Sequence, residues 1–212
     1  MMKCKIITCL FMIAAIPFFS SQNLVFKDKN FEKAVVENFD LNKDGFINKL
    51  EAEKTENLFL TDKGITSTDD LVYFKNIKMV FLDGNSISHI SLKNLNKLGL
   101  FSCSGCKTST FTAENLNVLT SLYLDNNQIT DISLKSTSKI DQLTISLNQL
   151  KTIDVSNLPY LRKLSVEYNQ IQKLDISKNM NLQTLNVTGN PLKETDIRKN
   201  TKNITIFGLE KE

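Results

Sequence analysis

The stretch from Leu119 to Pro191 repeats one pattern of apolar residues at a fixed interval of 21 residues. The pattern has the form LxxLxLxxNxL, and its first clear copy runs from Leu119 to Ile129. Further copies start at Ile140, Leu161 and Leu182. A strict period in the range of about 20–29 residues, with apolar residues placed around an asparagine, indicates a solenoid of stacked units. The chain is therefore expected to form one elongated repeat domain.

The spacing within each unit predicts its local structure. Apolar residues at positions four and six alternate with polar ones, as in a short strand with one buried face. Such a strand buries its apolar side only when units stack into a parallel sheet. The asparagine at position nine can donate to and accept from the backbone of adjacent turns, and losing a buried partner of this kind costs about 1–3 kcal/mol. We expect an α/β-type solenoid of the leucine-rich repeat type, with short parallel strands on its concave face.

The same pattern continues upstream with substitutions. A degenerate first repeat contains Leu58 and has Lys63 in place of the asparagine, and later repeats start at Ile77 and Leu98. About seven repeats are predicted in all. The predicted divisions are a signal peptide (1–21), a helical cap (22–54), the repeats (55–202) and a C-terminal strand or cap (203–212).

Two cysteines of the third repeat, Cys103 and Cys106, have the spacing of a redox motif. The repeat register places them at the sixth and ninth positions, which face the core. Free cysteine is a good small core residue, whereas redox pairs prefer the start of a helix in a thioredoxin-like context. We expect two buried thiols, with a local disulfide as the alternative.

Residues 1–21 have the pattern of a secretory signal peptide. Lys3 and Lys5 precede an apolar run that is too short for a membrane span, and small residues follow it. Retention of this segment as an anchor and lipidation of Cys9 are the alternatives. The pattern predicts a protein that is secreted, periplasmic or on the cell surface, with no membrane insertion after cleavage.

Residues 22–54 combine an amphipathic helix, expected over 30–39, with a loop that has the spacing of an EF-hand. Gly45 permits the sharp turn at the sixth loop position. The predicted calcium ligands are Asp40, Asn42, Asp44, Phe46 through its carbonyl, Asn48 and Glu51. Regulatory EF-hands usually come in pairs, so one loop favours structural Ca²⁺ with a Kd of about 0.1–1 mM. The alternative is a polar turn that caps a helix and binds nothing.

This helix and loop precede the first repeat directly and are expected to cap its core, since solenoids need end caps for solubility. Repeats that close with segments such as Ile132-Ser-Leu134 and Ile153-Asp-Val155, behind an Asp-x-Asn-x-Asp-Gly loop, resemble those of secreted bacterial leucine-rich repeat proteins of the internalin type. The resemblance covers about residues 24–207. It implies a concave face that binds proteins or other macromolecules, and calcium at the cap loop. Lys63 and Cys106 depart from the asparagine pattern.

The register also predicts which side chains the concave face presents, because positions three, five and seven of each repeat point outward from the strands. At positions three and five these residues are large and apolar in the N-terminal half, whereas in the C-terminal half they are small and polar. Contiguous exposed apolar surface marks interaction sites, and aromatic residues are enriched at hot spots. The predicted partner-binding residues are Phe59, Met79, Phe81, Leu100 and Tyr123. The alternatives are that the cap folds over this patch or that the monomer simply tolerates the exposed apolar surface.

Other functions find little support in the sequence. Basic and acidic residues number 26 and 23, so the charge does not indicate a nucleic-acid partner. His89 is the only histidine and has no partnered nucleophile, and Asp69 and Asp70 are expected to lie in a solvated loop. No phosphate loop, zinc spacing or serine-centred motif is present. We therefore expect a protein-binding module that is not an enzyme, with a scaffolding protein that docks through its calcium loop, as dockerins do, as the alternative.

Overall fold

The computed structural model describes residues 22–200 and 203–209 and shows the predicted leucine-rich repeat solenoid. Two helices, α1 (Lys29–Phe39) and α2 (Lys49–Lys54), precede the strands. The predicted signal peptide and Cys9 lie outside the described residues. Within those residues, no helix has the length and apolar character needed to cross a membrane. The strands in chain order are β1 (Asn57–Phe59), β2 (Met79–Phe81), β3 (His89–Lys93), β4 (Leu100–Ser102), β5 (Thr110–Glu114), β6 (Ser121–Tyr123), β7 (Asp131–Lys135), β8 (Gln142–Thr144), β9 (Lys163–Ser165), β10 (Leu174–Asp175), β11 (Thr184–Asn186), β12 (Ile197–Arg198) and β13 (Thr205–Phe207).

The concave face is one parallel sheet of eight strands in the order β1-β2-β4-β6-β8-β9-β11-β13. Its register follows the sequence period: Leu122 of β6 pairs with Phe101 of β4 on one side and with Leu143 of β8 on the other. These three central residues are fully buried, while the flanking residues of most strands stay partly exposed. The predicted alternation is therefore confirmed.

A second sheet lies on the convex side, where the sequence analysis predicted no strands. It consists of β3, β5 and β7 in parallel, with five residues of each strand in register. Ile90 and Leu92 of β3 point into the core and are buried, so the convex strands also alternate. Between β7 and β10 the convex strand pairing lapses, and it resumes between β10 and β12.

The asparagine ladder has the predicted geometry. The Asn148 side-chain amide donates to the carbonyls of Leu124 (3.0 Å) and Ile145 (3.2 Å), and its oxygen accepts from the N–H of Ile129 (2.8 Å). One side chain thus joins its own turn to the preceding repeat. The same bonding to the preceding repeat recurs at Asn85, Asn127, Asn169 and Asn190.

Cys103 and Cys106 are buried as predicted, but the expectation of two free thiols is wrong because they form a disulfide. In the repeats that have an asparagine at position nine, its amide donates to the carbonyl at position six of the same turn, as Asn127 does to Leu124. Here the disulfide links the same two positions covalently. The Cys103–Cys106 disulfide replaces the hydrogen bond of the asparagine amide and closes the turn. The third repeat therefore keeps the shape of the turn without an asparagine.

The N-terminal cap covers the first repeat with aromatic side chains. Phe31 of α1 packs edge-on against Phe74 with ring centroids 5.8 Å apart, and Phe26 stacks on Phe31 at 5.9 Å. The hydroxyl of Tyr73 donates to the carbonyl of Val25 (2.8 Å). These residues join the cap to the 3-10 helix Asp69–Tyr73 of the first repeat and exclude water from that end of the core.

Candidate functional site

The concave face brings the five predicted partner-binding residues together on its first four strands. Phe59 of β1 and Phe81 of β2 are stacked, with ring centroids 5.3 Å apart and planes at 19°. Met79 of β2 lies in register with Leu100 of β4. Tyr123 of β6 lies one strand further on, and its hydroxyl donates to the amide oxygen of Gln142 (3.3 Å).

The cap leaves this surface open. Phe59 is 59% exposed, which contradicts the alternative in which the cap folds over the patch. Met79, Phe81, Leu100 and Tyr123 are each partly buried by their neighbours on the sheet. Between the cap and β1, Phe39 and Leu41 face Phe59 across a groove of about 440 Å³. The apolar surface therefore continues from the strands to the edge of the cap.

Three large residues near the C-terminal half of the concave face were missed by the sequence analysis. Leu147, Tyr168 and Phe207 are 51%, 54% and 50% exposed, and all three line a groove of about 600 Å³. Leu147 and Tyr168 occupy position eight, beyond the positions that the alternation rule covers. The signal was present in the sequence, because other repeats have glycine, asparagine or aspartate at that position.

The backbone of the EF-hand-like loop has the turns that its motif predicts. Lys43 and Gly45 adopt left-handed conformations, with φ of 60° and 84°. One carboxylate oxygen of Asp40 accepts from the N–H of Gly45 (2.8 Å), and Asp44 accepts from the N–H of Phe46 (2.9 Å). Asn48 caps α2 and forms a reciprocal capping box with Glu51. These bonds hold the oxygen-bearing side chains of the loop around one turn.

The carboxylates of the loop are not gathered around one point. In the part of the chain that the structure describes, no three His, Cys, Asp or Glu side chains are grouped so that they could hold a metal ion. The buried carboxylate of Glu51 accepts from the N–H groups of Leu41 (2.9 Å) and Asn48 (2.9 Å), and Asn42 donates from its side chain to Asp44 (2.8 Å). Carboxylate and amide oxygens are the donors that a hard cation such as Ca²⁺ prefers, so the donor types fit this ion, whereas the arrangement of the carboxylates does not surround one.

The outgoing end of the loop is tied to the segment before α1. The N–H of Leu24 donates to the carbonyl of Ile47 (2.8 Å), and Asn23 and Asn48 form an antiparallel bridge. Ile47 is buried in the core of the cap. The loop and the N-terminal segment therefore form one packed unit.

Two buried carboxylates connect this unit to the repeats. Asp28 caps α1 by accepting from the N–H of Phe31 (3.0 Å), and its second oxygen accepts from the N–H of Thr66 (2.6 Å) and of Ser67 (3.0 Å). Asp70, only 1% exposed, accepts from the N–H groups of Lys27 (3.0 Å) and Asp28 (2.9 Å). The expectation of a solvated Asp70 is wrong, because a carboxylate that satisfies two backbone donors can be buried.

These contacts shift the titration of Asp28. Burial by itself would raise the pKa of the Asp28 carboxyl, but the N–H groups of Thr66, Phe31 and Asn30 and the Thr66 hydroxyl outweigh burial and lower that pKa below its ordinary value. A group with a lowered folded-state pKa stabilises the fold above its unfolded-state pKa. That contribution is lost as the pH falls through the folded-state value.

We expect the difference in free energy of unfolding between the wild type and Asp28→Asn to be constant above about pH 5 and to shrink below about pH 4, near the unfolded pKa of aspartate. Protonation begins in the unfolded state, and once the pH lies below the folded-state pKa the carboxylate is protonated in both states of the wild type and loses its advantage over the amide. Urea unfolding at a series of pH values from neutral down to strongly acidic measures this difference. A difference that stays constant over the whole series would contradict the assignment.

Catalytic chemistry has no assembled site in the described residues. His89 is exposed at the start of β3 on the convex side, with its Nδ1 2.9 Å from the Ser88 hydroxyl. Residues 22–200 and 203–209 also contain no cluster of three His, Cys, Asp or Glu side chains that could hold a catalytic metal ion. The leucine-rich repeat solenoid is typically a scaffold for protein interaction, and its elongated shape provides a large concave binding surface.

Comparison with known proteins agrees with the repeat geometry. Two family models match, one described as "Leucine Rich Repeat" over residues 118–140 and one as "Leucine Rich repeat" over residues 178–195. No curated protein matches the chain. Among solved structures, internalin C2 from Listeria monocytogenes str. 4b F2365 is similar with a TM-score of 0.53 and 21% identity, over 86% of this chain and 94% of that one.

A second internalin from the same strain, inlF, has a TM-score of 0.44 and 12% identity, over 90% of this chain and 79% of that one. At 21% identity the likeness to internalin C2 concerns the fold. The chain has the leucine-rich repeat fold, a class whose repeats generally mediate protein binding.

Proposed function

We propose that this chain is a secreted or surface-exposed module that binds a protein partner through the concave face. The observation that carries this proposal is the stacked pair Phe59 and Phe81 on the open sheet, continued by Met79, Leu100 and Tyr123. Large aromatic side chains displayed on a rigid sheet lose little conformational entropy on binding, which makes them suitable hot-spot residues. The five side chains belong to neighbouring strands, so one partner surface could contact all of them.

The double variant Phe81→Ser/Tyr123→Ser is expected to weaken partner binding at least about tenfold, because truncating central aromatic residues typically costs more than 1 kcal/mol each. Both residues are partly exposed and lie outside the buried core, so the fold should be retained. The measurement is capture of partners from a protein extract by the immobilised chain, followed by titration of the captured protein.

The matched control is Val118→Ser/Tyr160→Ser, which removes two exposed apolar residues outside the concave strands. It should bind as the wild type does. Equal affinity of the wild type and the Phe81→Ser/Tyr123→Ser variant for every captured protein would move the binding site away from this face.

We also propose a structural calcium site in the cap loop, formed by Asp40, Asn42, Asp44, the carbonyl of Phe46, Asn48 and Glu51. The bound ion would offset two of the three negative charges of the carboxylates and make the loop rigid. The motif spacing and the turns at Lys43 and Gly45 support this proposal. In it, Glu51 exchanges backbone N–H partners for the ion, so metal binding is coupled to the arrangement of the helices on both sides of the loop.

Adding 5 mM Ca²⁺ is expected to raise the free energy of unfolding by about 1–2 kcal/mol, given a Kd of about 0.1–1 mM. Chemical denaturation with and without the ion measures the effect. Asp40→Asn should reduce it, since one charged ligand is lost, and Mg²⁺ at the same concentration should stabilise less because it prefers rigid octahedral sites. An unchanged unfolding curve for the wild type would leave the loop as a helix-capping turn.

Docking through the loop is the second candidate function. Leu41, Phe46 and Leu50 are 61%, 51% and 57% exposed around it and could contact a partner. This alternative predicts that Asp40→Ala abolishes partner binding while Phe81→Ser/Tyr123→Ser leaves it intact. The concave proposal predicts the reverse, so the same titration separates the two.

The proposed location has a direct test. If residues 1–21 act as a signal peptide, N-terminal sequencing of protein recovered from outside the producing cells should begin near Gln22. That start would leave Asn23 and Leu24 in place to pair with the loop. Recovery of an uncut chain in the cell interior would contradict secretion.

A further inference from the structure

The turn after each concave strand requires a left-handed backbone at position eight. Two repeats have a bulky residue at this position, although bulky side chains disfavour that conformation. Five of the seven have residues that tolerate this conformation, namely Asp62, Gly84, Gly105, Asn126 and Gly189. Leu147 and Tyr168 adopt the same conformation with φ of 57° and 50°. A bulky side chain there is a conformational outlier. Strain of this kind persists where the side chain serves another purpose, and binding sites are a frequent place for it.

The strained side chains extend the apolar surface of the concave face. Both are about half exposed and line the same groove as Phe207 of β13. The ring of Tyr168 lies against Gly189 in the next turn so closely that a Cβ there would come within 2.4 Å of its Cδ1 atom. The backbone of the neighbouring turn thus holds the ring in position. Exposed apolar residues therefore occur at both ends of the concave sheet. In the C-terminal half the strand residues between them are small and polar.

The charge of this face is opposite in sign to that of the whole chain. Positions three, five, seven and eight of the repeats carry the four acids Asp62, Asp83, Asp125 and Glu167 and a single lysine, Lys163, a formal charge of −3 in a chain of net charge +3. Among residues 22–200 and 203–209, no lysine or arginine lies within ion-pair distance of any of these four carboxylates. Elsewhere on the surface several acids are paired, as Glu56 is with Lys78 and Asp141 with Arg162.

Three of the four acids are regularly spaced. Asp83, Asp125 and Glu167 all occupy position seven, in every second repeat, so they recur about every 9.6 Å along the sheet, given a strand spacing of about 4.8 Å. The hydroxyls of Ser102, Thr144 and Ser165 donate to these carboxylates and fix their orientation. A polyproline II segment advances about 9.3 Å per turn of three residues, with every third side chain on one face. Its repeat thus matches the interval between the carboxylates.

We propose that the concave face binds an extended basic segment of a partner protein, with lysine or arginine at every third residue and proline or large apolar residues between them. The cations face Asp83, Asp125 and Glu167, and the apolar residues contact the aromatic residues and Leu147. Aromatic-lined grooves favour such segments because the ligand is already extended and loses little entropy. This proposal rests on the concave face being the binding site and specifies its partner.

The test uses the purified protein and three synthetic peptides with blocked ends. The first consists of five Lys-Pro-Leu triplets, the second has glutamate in place of lysine, and the third has the composition of the first with its lysines clustered at one end. We expect the first peptide to bind at least about tenfold more tightly than either of the others. Its affinity should also fall as salt is raised, because exposed charges are screened.

Two sets of variants distinguish charge from shape. Asp83→Asn/Asp125→Asn/Glu167→Gln removes the three charges and keeps an accepting oxygen at each position, although Asp125 gives up one of its bonds because it accepts from Thr144 and Ser146 through different oxygens. This variant should weaken the first peptide about tenfold, whereas neutralising the convex-side acids with Glu114→Gln/Asp131→Asn/Asp154→Asn should leave its affinity unchanged. Leu147→Asn/Tyr168→Asn should also weaken it about tenfold without lowering Tm, because asparagine tolerates the left-handed turn, as Asn126 does. A purely structural role would lower Tm and leave affinity unchanged.

Equal binding of the three peptides, no binding of the first one, or an affinity indifferent to the acidic triple variant would overturn this inference. None of these results would decide the proposed function, which depends on whether Phe81→Ser/Tyr123→Ser loses the captured protein. If a captured protein no longer binds the Phe81→Ser/Tyr123→Ser variant but has no basic segment, the concave face would still be the binding site. Its preference for a basic segment would be contradicted.

Discussion

Replacing Asp28 by alanine is expected to lower the free energy of unfolding by about 2–5 kcal/mol, the sum of a lost helix cap and of buried N–H groups left without an acceptor. One oxygen of Asp28 holds the first turn of α1 through Asn30 and Phe31, and the other holds the backbone at Thr66 and Ser67. The side chain therefore joins the cap to the first repeat. Urea unfolding followed by far-ultraviolet circular dichroism measures the loss.

Asp69→Ala is the matched control, because Asp69 lies in the same region but makes only an exposed ion pair with Lys27. That substitution should change the stability by less than about 0.5 kcal/mol. If both variants unfolded at the same urea concentration as the wild type, Asp28 would not be the link between cap and repeats. Asp28→Ala should also expose the aromatic cluster around Phe31, which increases binding of a hydrophobic dye.

Asn148→Ala is expected to cost about 1–3 kcal/mol, because it leaves the buried N–H of Ile129 without an acceptor. It also removes one of the two asparagine donors to each of the carbonyls of Leu124 and Ile145, which keep their bonds to Asn127 and Asn169. Asn148 lies in the middle of the solenoid, so the loss weakens the contact between two central repeats. Each repeat in such a solenoid is stabilised mainly by its neighbours. Chemical denaturation of the purified variant measures the change in stability.

The control is Gln149→Ala, one residue further on, whose side chain is exposed. It should be nearly neutral. A loss at Asn148 no larger than the loss at Gln149 would show that the amide ladder does not stabilise the stack. Asn127→Ala should behave as Asn148→Ala does, since Asn127 makes the corresponding bonds to Leu124 and Cys103 and accepts from Thr108.

The repeat register was predictable because it depends on a local rule that is applied many times. Once Leu122 and Leu143 are aligned by the period, the strand positions, the buried face and the ladder follow from geometry. The five concave residues from Phe59 to Tyr123 follow from the same alternation. The loop turn at Gly45 was also predictable, since the motif specifies it. The left-handed conformation of Lys43 was not predicted, and the binding of an ion in this loop remains a prediction.

The features that the sequence did not reveal depend on contacts between distant segments or on chemistry that the pattern leaves open. Burial of Asp70 needs the N–H groups of Lys27 and Asp28, which are more than 40 positions away. The register gave the positions of Cys103 and Cys106 but not their oxidation state. Leu147 and Tyr168 were overlooked because alternation assigns only the strand positions, while the conformation of the following turn decides where these side chains point.

The regular register of the concave sheet also bears on how the chain folds. Paired residues on adjacent strands, such as Leu100 and Ser121, are 21 positions apart, and this separation is nearly constant along the sheet. Relative to the chain length, it corresponds to a contact order of about 0.1, within the range of fast-folding helical bundles and below that of typical sheet proteins. Any two adjacent repeats can therefore serve as a nucleus, and the sheet can grow from it in either direction without closing a long loop.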